Sequence, residues 1–305
     1  MDISIILVNW NTKQLLLDCL AAVYATVQGI AFEVWLVDNA STDGSVEAVL
    51  ASYPKVKVIR NSANLGFAAA NNKAFRQMTG RYALLLNTDA VLTSGAVERL
   101  FHFMEKNPGA AMACGQLLNQ DGSKQNSIAN FPTLLSLLCN ETVLRLLFPT
   151  RFPSKRQDYR EPLLVESCIG ACLLVRKQAM DEVGLLDERY FFFMEETDWA
   201  LSMRKAGWKS YFIPDARIYH LQGQSAGLGL KARIMFYRSR YQYFQKWHRV
   251  GYPLTYPLIV VRLLVNVILN FLAVVFTLSR VKEIRQRLRL YSGLLGWHLR
   301  GCPRK

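Results

Sequence analysis

The chain is predicted to begin with an α/β domain built on a mostly parallel sheet and to end in a basic helical region. Strand-like apolar runs alternate with segments of helical spacing, and several of these runs end abruptly in polar residues. Apolar runs without inside–outside alternation are typical of strands buried on both faces of a parallel sheet. An uneven distribution of charge separates the C-terminal region from the rest.

The first strands are predicted at residues 3–8, 32–37, 56–59 and 82–86, with helices between them. This β-α-β-α-β-α-β order is the pattern of a doubly wound domain with right-handed crossovers. Later strands are predicted at 110–114, at 165–175 with an interruption at Gly170 and Ala171, and at 209–213 and 217–219. Helices are predicted at 94–106, 132–148 and 177–183, and a mobile loop at 149–162.

Polar groups follow the strands of the opening unit at Asn9, Asp38, the Asn61–Gly66 turn and Asp89. Parallel sheets bind ligands just beyond the carboxyl ends of their strands. A carboxylate such as Asp89 at that place can hold a divalent cation, which in turn holds phosphate oxygens. The alternative is that Asp89 only starts a turn before the next helix.

Two common phosphate-binding loops do not occur in the chain. It contains neither a G-x-G-x-x-G fingerprint nor a G-x-x-x-x-G-K-[ST] loop, which disfavours dinucleotide oxidoreductases and P-loop enzymes. A phosphate ligand would therefore need a metal ion to neutralise most of its charge.

Three acids, Glu195, Glu196 and Asp198, follow an apolar run and precede a stretch of helical spacing. Acids in the first turn of a helix are favoured by its dipole, so capping is one interpretation. Crowded carboxylates also raise the proton affinity of one member, which suits a general base. His220 lies at another strand end, where it is either structural or a metal ligand.

The six cysteines show no metal-like spacing and are predicted to be free thiols of a reducing compartment. The apolar run at residues 3–8 is too short for a signal peptide. We therefore interpret the sequons at Asn39 and Asn140 as chance matches.

The net positive charge is confined to the C-terminal quarter. Residues 231–305 contain 15 Lys and Arg and one acid, whereas the charges of the first 230 residues cancel, so the net charge of +14 belongs to the tail. This break predicts one domain over residues 1–225 and a second region over 226–305.

The tail is predicted to associate with an anionic membrane surface. Residues 257–280 form an apolar helix with a narrow polar stripe that includes Arg262, and residues 281–295 form a basic amphipathic helix. We favour a helix that lies in one leaflet or packs on the protein over a transmembrane span, because a span would have to accommodate Arg262. Basic residues among aromatics also occur in nucleic-acid-binding proteins, but we expect no nucleic-acid partner after such a domain.

The chain resembles family 2 glycosyltransferases of the GT-A fold, especially their rhamnosyltransferase-like branch. The matching segments are VNWN (8–11), VDNASTDG (37–44), NLGFAAAN (64–71), LNTD (86–89), GACLLVR (170–176), EETDW (195–199), and His220 with Gly223 and Ser225. They occur in the family's order. The family uses a nucleotide-activated sugar and a divalent metal and inverts the anomeric carbon.

The resemblance implies a role for each matching residue. Donor binding is implied for Asn9, Asp38, Asn64, Gly66, Asn87 and Asp89, with Asp38 on the imide N–H of a uracil or thymine ring. Mg²⁺ or Mn²⁺ would be held by Asp89 and His220. Acceptor contacts are implied for Gly170, Ala171 and Trp199, and catalysis for Glu196 and Asp198.

Two departures from the family pattern bear on these roles. Asn87 replaces the first Asp of the metal motif, and Glu196 stands where many relatives have the Asp that acts as base. Glu195 and Asp198 therefore remain alternative bases. The expected function is inverting transfer of a sugar, with L-rhamnose from dTDP-rhamnose preferred, to a lipid-linked or saccharide acceptor in O-antigen or other polysaccharide assembly. This reaction would take place at the cytoplasmic face of the inner membrane, with the protein peripheral or monotopic. The alternative is a non-catalytic relative that only binds a sugar nucleotide or a polysaccharide.

Overall fold

The computed structural model describes residues 1–139, 141–149, 152, 157–221 and 229–302. The strands are β1 (Ile3–Asn9), β2 (Phe32–Asp38), β3 (Lys57–Arg60), β4 (Tyr82–Asn87), β5 (Ala90–Leu92), β6 (Ala110–Leu118), β7 (Ile128–Ala129), β8 (Leu163–Val165), β9 (Ser167–Cys168), β10 (Cys172–Arg176) and β11 (Lys209–His220). The predicted sequon at Asn140 and the family-like residues Gly223 and Ser225 lie outside the described residues.

The helices alternate with the strands in the first half of the chain and follow them in the last quarter. They are α1 (Lys13–Thr26), α2 (Ser45–Ser52), α3 (Gly66–Phe75), α4 (Ala96–Lys106), α5 (Leu134–Leu138), α6 (Glu141–Leu147), α7 (Lys177–Val183), α8 (Glu195–Lys205), α9 (Leu230–Trp247), α10 (Tyr252–Phe276) and α11 (Lys282–Leu299).

The central sheet is mixed rather than mostly parallel. Within the described residues its strand order is β3-β2-β1-β4-β10-β6-β11-β5, with β8 paired to β11. The β3-β2-β1-β4 half is parallel, as the opening pattern predicts. Beyond β4, strand β10 runs antiparallel to both neighbours, and β5 and β8 run antiparallel to β11. The β6–β11 pair in this half is parallel, so the sheet as a whole is mixed.

The sheet is covered on both faces, which explains its continuous apolar strands. Alternate residues of β1 belong to different core clusters: Ile3, Ile5 and Leu7 face one layer, and Ile6 faces the other. Helices α1, α2 and α4 pack in the first layer, and α3, α7 and α8 pack in the second. This three-layer packing holds the strand ends rigidly at one edge.

Three elements of the structure differ in detail from those predicted from the sequence. The helix predicted at 132–148 is two short helices, α5 and α6. The strand predicted at 165–175 is divided into β9, which pairs with β7, and β10, which joins the central sheet. The two strands predicted at 209–213 and 217–219 are one strand, β11, whose register shifts between Ile213 and Arg217, around Pro214. Proline in a sheet is confined to such irregular places because it has no N–H to donate.

The chain divides into two compact units. The first comprises Met1–Phe131 and Lys155–Ser225, and the second comprises Pro132–Ser154 and Ala226–Lys305. The sequence predicts a boundary near residue 225, which lies outside the described residues. It does not predict that Pro132–Ser154 leaves the α/β unit and joins the C-terminal helices.

In the second unit α10 packs on α5, α9 and α11. Arg262 is the charged residue that a transmembrane span would have to accommodate. Its side chain turns inward, and its guanidinium donates to the carbonyl oxygens of Ser136 (2.9 Å) and Leu137 (3.3 Å) at the end of α5. Arg240 donates to the same Ser136 carbonyl at 3.2 Å. A cation at a helix C-terminus is favourably placed. The apolar side chains of α10 are left largely exposed, including Leu269 and Phe276.

A buried carboxylate fastens the sheet at the edge opposite the strand ends that carry Asn9 and Asp38. Glu33 on β2 accepts hydrogen bonds from Ser4 Oγ (2.6 Å), Lys57 Nζ (2.7 Å) and the Thr79 N–H (2.7 Å). Burial alone would raise the pKa of Glu33, but these donors, Lys57 foremost, outweigh it and lower the pKa to about 2. Glu33 thus joins β1, β2, β3 and the start of β4.

We expect Glu33→Gln to lower the free energy of unfolding by about 1–3 kcal/mol at pH 7, because three donors lose a charged acceptor. The folded pKa is below the unfolded one, so this contribution is present above pH 4.5 and is lost as the pH falls towards about 2. Urea denaturation at pH 7 and pH 3 measures it. Glu47→Gln, at an exposed ion pair with Arg60, is the control and should change little. An equal loss at both pH values would contradict the role of the charge.

Candidate active site

The parallel register brings the predicted strand ends together. Asn9 lies opposite Asp38 in the β1–β2 pair, and Val8 lies opposite Asn87 in the β1–β4 pair. The three polar side chains therefore occupy the same edge of the sheet, as parallel pairing requires. The strand pattern predicts that these side chains lie together, because their proximity depends only on neighbouring parallel strands.

The buried Asn9 side chain organises the first half of this edge. Its amide nitrogen lies 3.0 Å from Asp38 Oδ1, 3.0 Å from Ser41 Oγ and 2.8 Å from Ser45 Oγ. Asp38 Oδ2 accepts the Ser41 N–H at 2.9 Å. Each Asp38 oxygen accepts one bond and keeps a lone pair, so the carboxylate can accept a further donor from a ligand.

Two threonines, Thr12 and Thr88, extend this network. Thr12 Oγ1 donates to Asn9 Oδ1 at 2.7 Å and lies 3.0 Å from Thr88 Oγ1. A hydrogen-bonded chain therefore runs from Asp38 through Asn9 and Thr12 to the residue before Asp89. The signal in the sequence is only that each threonine follows closely after a strand end.

The Asn64–Gly66 turn is held by local and distant contacts. Asn64 Oδ1 accepts the Gly66 N–H at 2.9 Å, and Gly66 has φ +80°, a conformation that favours glycine. A Cβ on Gly66 would lie 2.3 Å from the carbonyl oxygen of Phe191. Phe67 N donates to that same oxygen at 2.8 Å. The turn is thus joined to the segment that leads into the acidic cluster.

Asp89 is almost completely buried, at 1% exposure, yet neither carboxylate oxygen accepts a hydrogen bond. His220 Nε2 lies 3.4 Å from Asp89 Oδ1, because β11 pairs with β5 and places His220 opposite Ala90. Burying a carboxylate without donors is costly. Such an arrangement is favourable when a cation binds to the carboxylate.

Gln125 sets the orientation of the His220 ring. Its amide N–H groups donate to the His220 carbonyl (2.5 Å) and to Asn119 Oδ1 (2.7 Å), so its oxygen accepts from His220 Nδ1 at 3.0 Å. With Nδ1 protonated, His220 Nε2 presents a lone pair towards Asp89. This is the tautomer and the supporting contact that metal-ligating histidines use.

The donor set fits a divalent metal held partly by its substrate. Within the described residues, no third His, Cys, Asp or Glu joins Asp89 and His220 in a metal-binding group. Mg²⁺ and Mn²⁺ commonly take only one or two protein ligands and complete their coordination with phosphate oxygens and water. Asp89 and His220 are the side chains that would hold such an ion.

The acidic cluster opens α8 after a strained turn. Phe193 and Met194 both have left-handed backbone angles, φ +71° and +73°, which are costly for residues with side chains. Glu195 is buried, and burial together with the neighbouring Glu196 raises its pKa well above the usual range. Asp198 is buried and accepts a hydrogen bond from Tyr190 OH at 3.1 Å.

Glu196 differs from its two neighbours because its side chain remains partly accessible. Desolvation raises its pKa to about 7, more than its backbone hydrogen bonds lower it. A carboxyl with this pKa exists in both protonation states near neutral pH, as a general base requires. Glu196 therefore has the accessibility and the proton affinity for that role.

Gly170 and Ala171 connect Glu196 to the end of β4. A Cβ on Gly170 would lie 3.9 Å from Glu196 Cβ and Cγ, and the Ala171 carbonyl accepts the Asn87 N–H at 2.9 Å.

Trp199, the third residue with a predicted acceptor contact, does not lie in the site. It is buried in the core, its ring centroid lies 5.6 Å from that of Phe75, and its Nε1 donates to the Gly184 carbonyl at 2.8 Å. The predicted acceptor contact by Trp199 is thus corrected to a packing role.

Comparison with known proteins identifies the family. A family profile for glycosyl transferase family 2 matches residues 4–184, more than half of the chain. The chain belongs to this family. Both the resemblance inferred from the motifs and the GT-A fold class are confirmed, with a mixed sheet in place of the mostly parallel one.

Individual relatives agree with this assignment. An N-acetylglucosaminyl-diphospho-decaprenol L-rhamnosyltransferase of Mycobacterium tuberculosis is 32% identical over 210 residues, covering 64% of this chain and 68% of that protein. The mannosyltransferase PcManGT from Pyrobaculum calidifontis, solved with GDP-Man and Mn²⁺, has a TM-score of 0.62 at 15% identity and covers 98% of this chain and 86% of its own. S. aureus TarS, solved with UDP, has a TM-score of 0.51 at 14% identity, over 87% of this chain and 66% of its own. These two structures share the fold of this glycosyltransferase.

We expect Asp89→Ala to abolish Mn²⁺ binding in the presence of dTDP, and His220→Ala to weaken it less. Gln125→Leu should weaken it by about 10–100-fold, because it releases the His220 ring without removing a ligand. Electron paramagnetic resonance of free Mn²⁺ measures each affinity. Asp181→Ala, which removes an exposed carboxylate from α7, is the control. Unchanged Mn²⁺ affinity in Asp89→Ala would refute the metal assignment.

Proposed function

We propose that this glycosyltransferase moves a sugar from a nucleoside diphosphate to a lipid-linked saccharide with inversion at the anomeric carbon. The observation that carries the proposal is Glu196, a partly accessible carboxyl with a pKa of about 7 beside the strand end that leads to Asp89. A sugar-nucleotide-binding protein without catalysis has no need of such a group.

The preferred donor is dTDP-L-rhamnose. Asp38 has lone pairs left to accept the imide N–H of a thymine ring, and Asn9 and Ser41 hold it in place. Asn64, Gly66 and Asn87 would lie along the ribose and diphosphate. The rhamnosyltransferase activity of the mycobacterial relative supports the choice of sugar, and the nucleotides in the two solved structures support a nucleoside diphosphate in general.

Glu196 acts as the base in this proposal. It removes the proton from the acceptor hydroxyl as that oxygen attacks the anomeric carbon from the face opposite the diphosphate, which leaves with the bonding electron pair. Burial and the neighbouring Glu196 raise the pKa of Glu195 well above its usual range, and Asp198 accepts a hydrogen bond from Tyr190 OH. A Mg²⁺ or Mn²⁺ ion bound by Asp89 and His220 would supply positive charge to the departing diphosphate.

The acceptor side is assigned to Gly170 and Ala171, where the absence of large side chains leaves room beside Glu196. The acceptor is proposed to be a saccharide on a lipid diphosphate, used in O-antigen or related polysaccharide assembly. The mycobacterial relative carries a decaprenyl diphosphate acceptor in its name, which supports this class.

We propose further that the second unit rests on the cytoplasmic face of the inner membrane as a peripheral or monotopic element. Helix α10 spans 25 residues, is long and apolar enough to cross a membrane, and is mostly exposed. Its inward-turned Arg262 removes the charge from the exposed face. The basic side chains of α11 would face anionic head groups.

A thermal shift scan tests the donor assignment directly. We expect dTDP and dTDP-rhamnose to raise the melting temperature in the presence of Mn²⁺, and GDP-mannose to have a smaller effect. A transfer assay with a lipid-diphosphate GlcNAc acceptor then tests the reaction. Stabilisation by a sugar nucleotide without transfer to any lipid-linked or saccharide acceptor would support the non-catalytic alternative.

Glu196→Gln should lower the rate of transfer by about 10²-fold or more while donor binding survives. In the wild type, kcat/KM should rise with pH through about 7, because the base works only when deprotonated. The variant should lose this inflection. Asp198→Asn is the comparison, and we expect it to retain the inflection. An active Glu196→Gln together with an inactive Asp198→Asn would assign the base to Asp198.

Reversing Arg285, Arg287 and Arg289 to Glu should weaken binding to anionic vesicles and reduce its salt dependence, since each basic group near the surface contributes roughly 1 kcal/mol. Sedimentation with vesicles measures this. Reversing Lys55, Arg99 and Lys106, exposed on the first unit, changes the net charge equally and should matter less. Wild-type protein that stays in the supernatant at low salt would contradict membrane association.

A further inference from the structure

The second unit contains a cavity that the proposed reaction does not use. Its volume is about 690 Å³, within the range of roughly 300–1,000 Å³ that is usual for small-molecule sites. It lies between α9, the first turns of α10 and the end of α11. The lining includes Arg238, Tyr241, Gln242, Tyr252, Tyr256 and Trp297.

The lining is aromatic where the apolar helix begins. Tyr252 and Tyr256 belong to the first turns of α10, and Tyr241 and Trp297 face them from α9 and α11. Tyr256 OH donates to the His298 carbonyl at 3.0 Å, which holds its ring in place. Tyrosine and tryptophan at one end of an exposed apolar helix are typical of the level of lipid head groups.

The charge of the cavity selects an anion. Arg238 contributes the charged side chain, and the lining within the described residues contains no acid. The Arg238 guanidinium lies over the Trp297 ring, 5.8 Å from its centre, within the range of a cation–π contact. The N-terminus of α10, a 25-residue helix, adds partial positive charge at the same place.

A hydrocarbon chain would find a matching surface next to the cavity. From Leu254 onward α10 exposes apolar side chains along its length, among them Val261, Leu264 and Leu269, each about half exposed. A ligand with an anionic head in the cavity and an apolar chain along α10 would cover this surface. A nucleotide or a free phosphate would leave it uncovered.

We propose that this cavity binds the diphosphate head of an isoprenoid lipid, whose chain lies along α10. The proposal rests on the proposed function, in which that lipid is the carrier of the acceptor sugar. It adds a site on the second unit that binds the lipid diphosphate of the acceptor, separately from the saccharide.

Binding of farnesyl diphosphate below its micelle concentration tests the proposal. Isothermal titration is carried out on the full chain in EDTA, so that metal-dependent binding at Asp89 does not contribute. Farnesol and inorganic diphosphate, each carrying half of the ligand, should bind at least tenfold more weakly. Dihexanoyl phosphatidylglycerol and dTDP distinguish a general anionic phospholipid site and a nucleotide site, and each should also bind more weakly than farnesyl diphosphate.

Arg238→Gln should weaken farnesyl diphosphate binding by about tenfold or more, since hydrogen bonds to charged groups are among the strong ones. Gln242→Trp, which fills the cavity without changing charge, should weaken it as well. Arg99→Gln removes an exposed charge from α4 and should have less than a twofold effect. Thermal melting verifies that each variant is folded.

Three results would overturn the proposal: no farnesyl diphosphate binding by the wild type, an equal loss in Arg99→Gln and Arg238→Gln, or a loss in Asp89→Ala that neither cavity variant reproduces. Because no sugar transfer is required, the titration is independent of the donor and of the reaction. A failed transfer assay with intact binding would remove the proposed reaction and retain the lipid site.

Discussion

The buried carboxylate of Asp89 is the constraint on which the rest of the active site depends. A carboxylate removed from water and left without donors costs several kcal/mol, so the surrounding structure has to hold it in place. The β5–β11 pairing does so from the backbone, where the Asp89 carbonyl accepts the Leu221 N–H at 2.8 Å. His220 and Gln125 then complete one wall of the site. A cation would relieve this cost, which couples metal binding to the stability of the strand ends.

The polar side chains at the carboxyl ends of the strands form one continuous hydrogen-bond network. The chain from Asp38 through Asn9 and Thr12 to Thr88 crosses three strand ends without a break. Side-chain networks of this kind polarise one another and resist piecewise rearrangement. A nucleobase bound at Asp38 and a diphosphate bound near Asp89 would therefore meet a framework that is already formed, which lowers the entropic cost of binding.

The part of the site that depends on parallel strands is readable from the sequence. Asn9, Asp38 and Asn87 meet because β1, β2 and β4 are neighbours, and the opening β-α pattern requires this. The approach of His220 to Asp89 is implied by the family resemblance but not by the strand pattern, since it depends on the antiparallel insertion of β10 and the distant pairing of β11 with β5. The sequence does not predict the packing role of Trp199, because an aromatic residue after acids has the same pattern whether it faces a ligand or the core. Its burial depends on the tertiary contacts with Phe75 and with the Gly184 carbonyl.

The division of the chain between the two units has a consequence during synthesis. Helices α5 and α6 leave the ribosome before α9–α11, which complete their unit, although their side chains Leu137 and Leu144 are buried in the finished protein. Helix α9 begins roughly 80 residues after α6 ends, a delay of about 4–16 s at ~5–20 residues per second. During that interval the apolar side chains of α5 and α6 cannot pack against the helices that cover them in the finished protein. A chaperone that holds exposed apolar segments would protect these helices from aggregation until α9–α11 are synthesised.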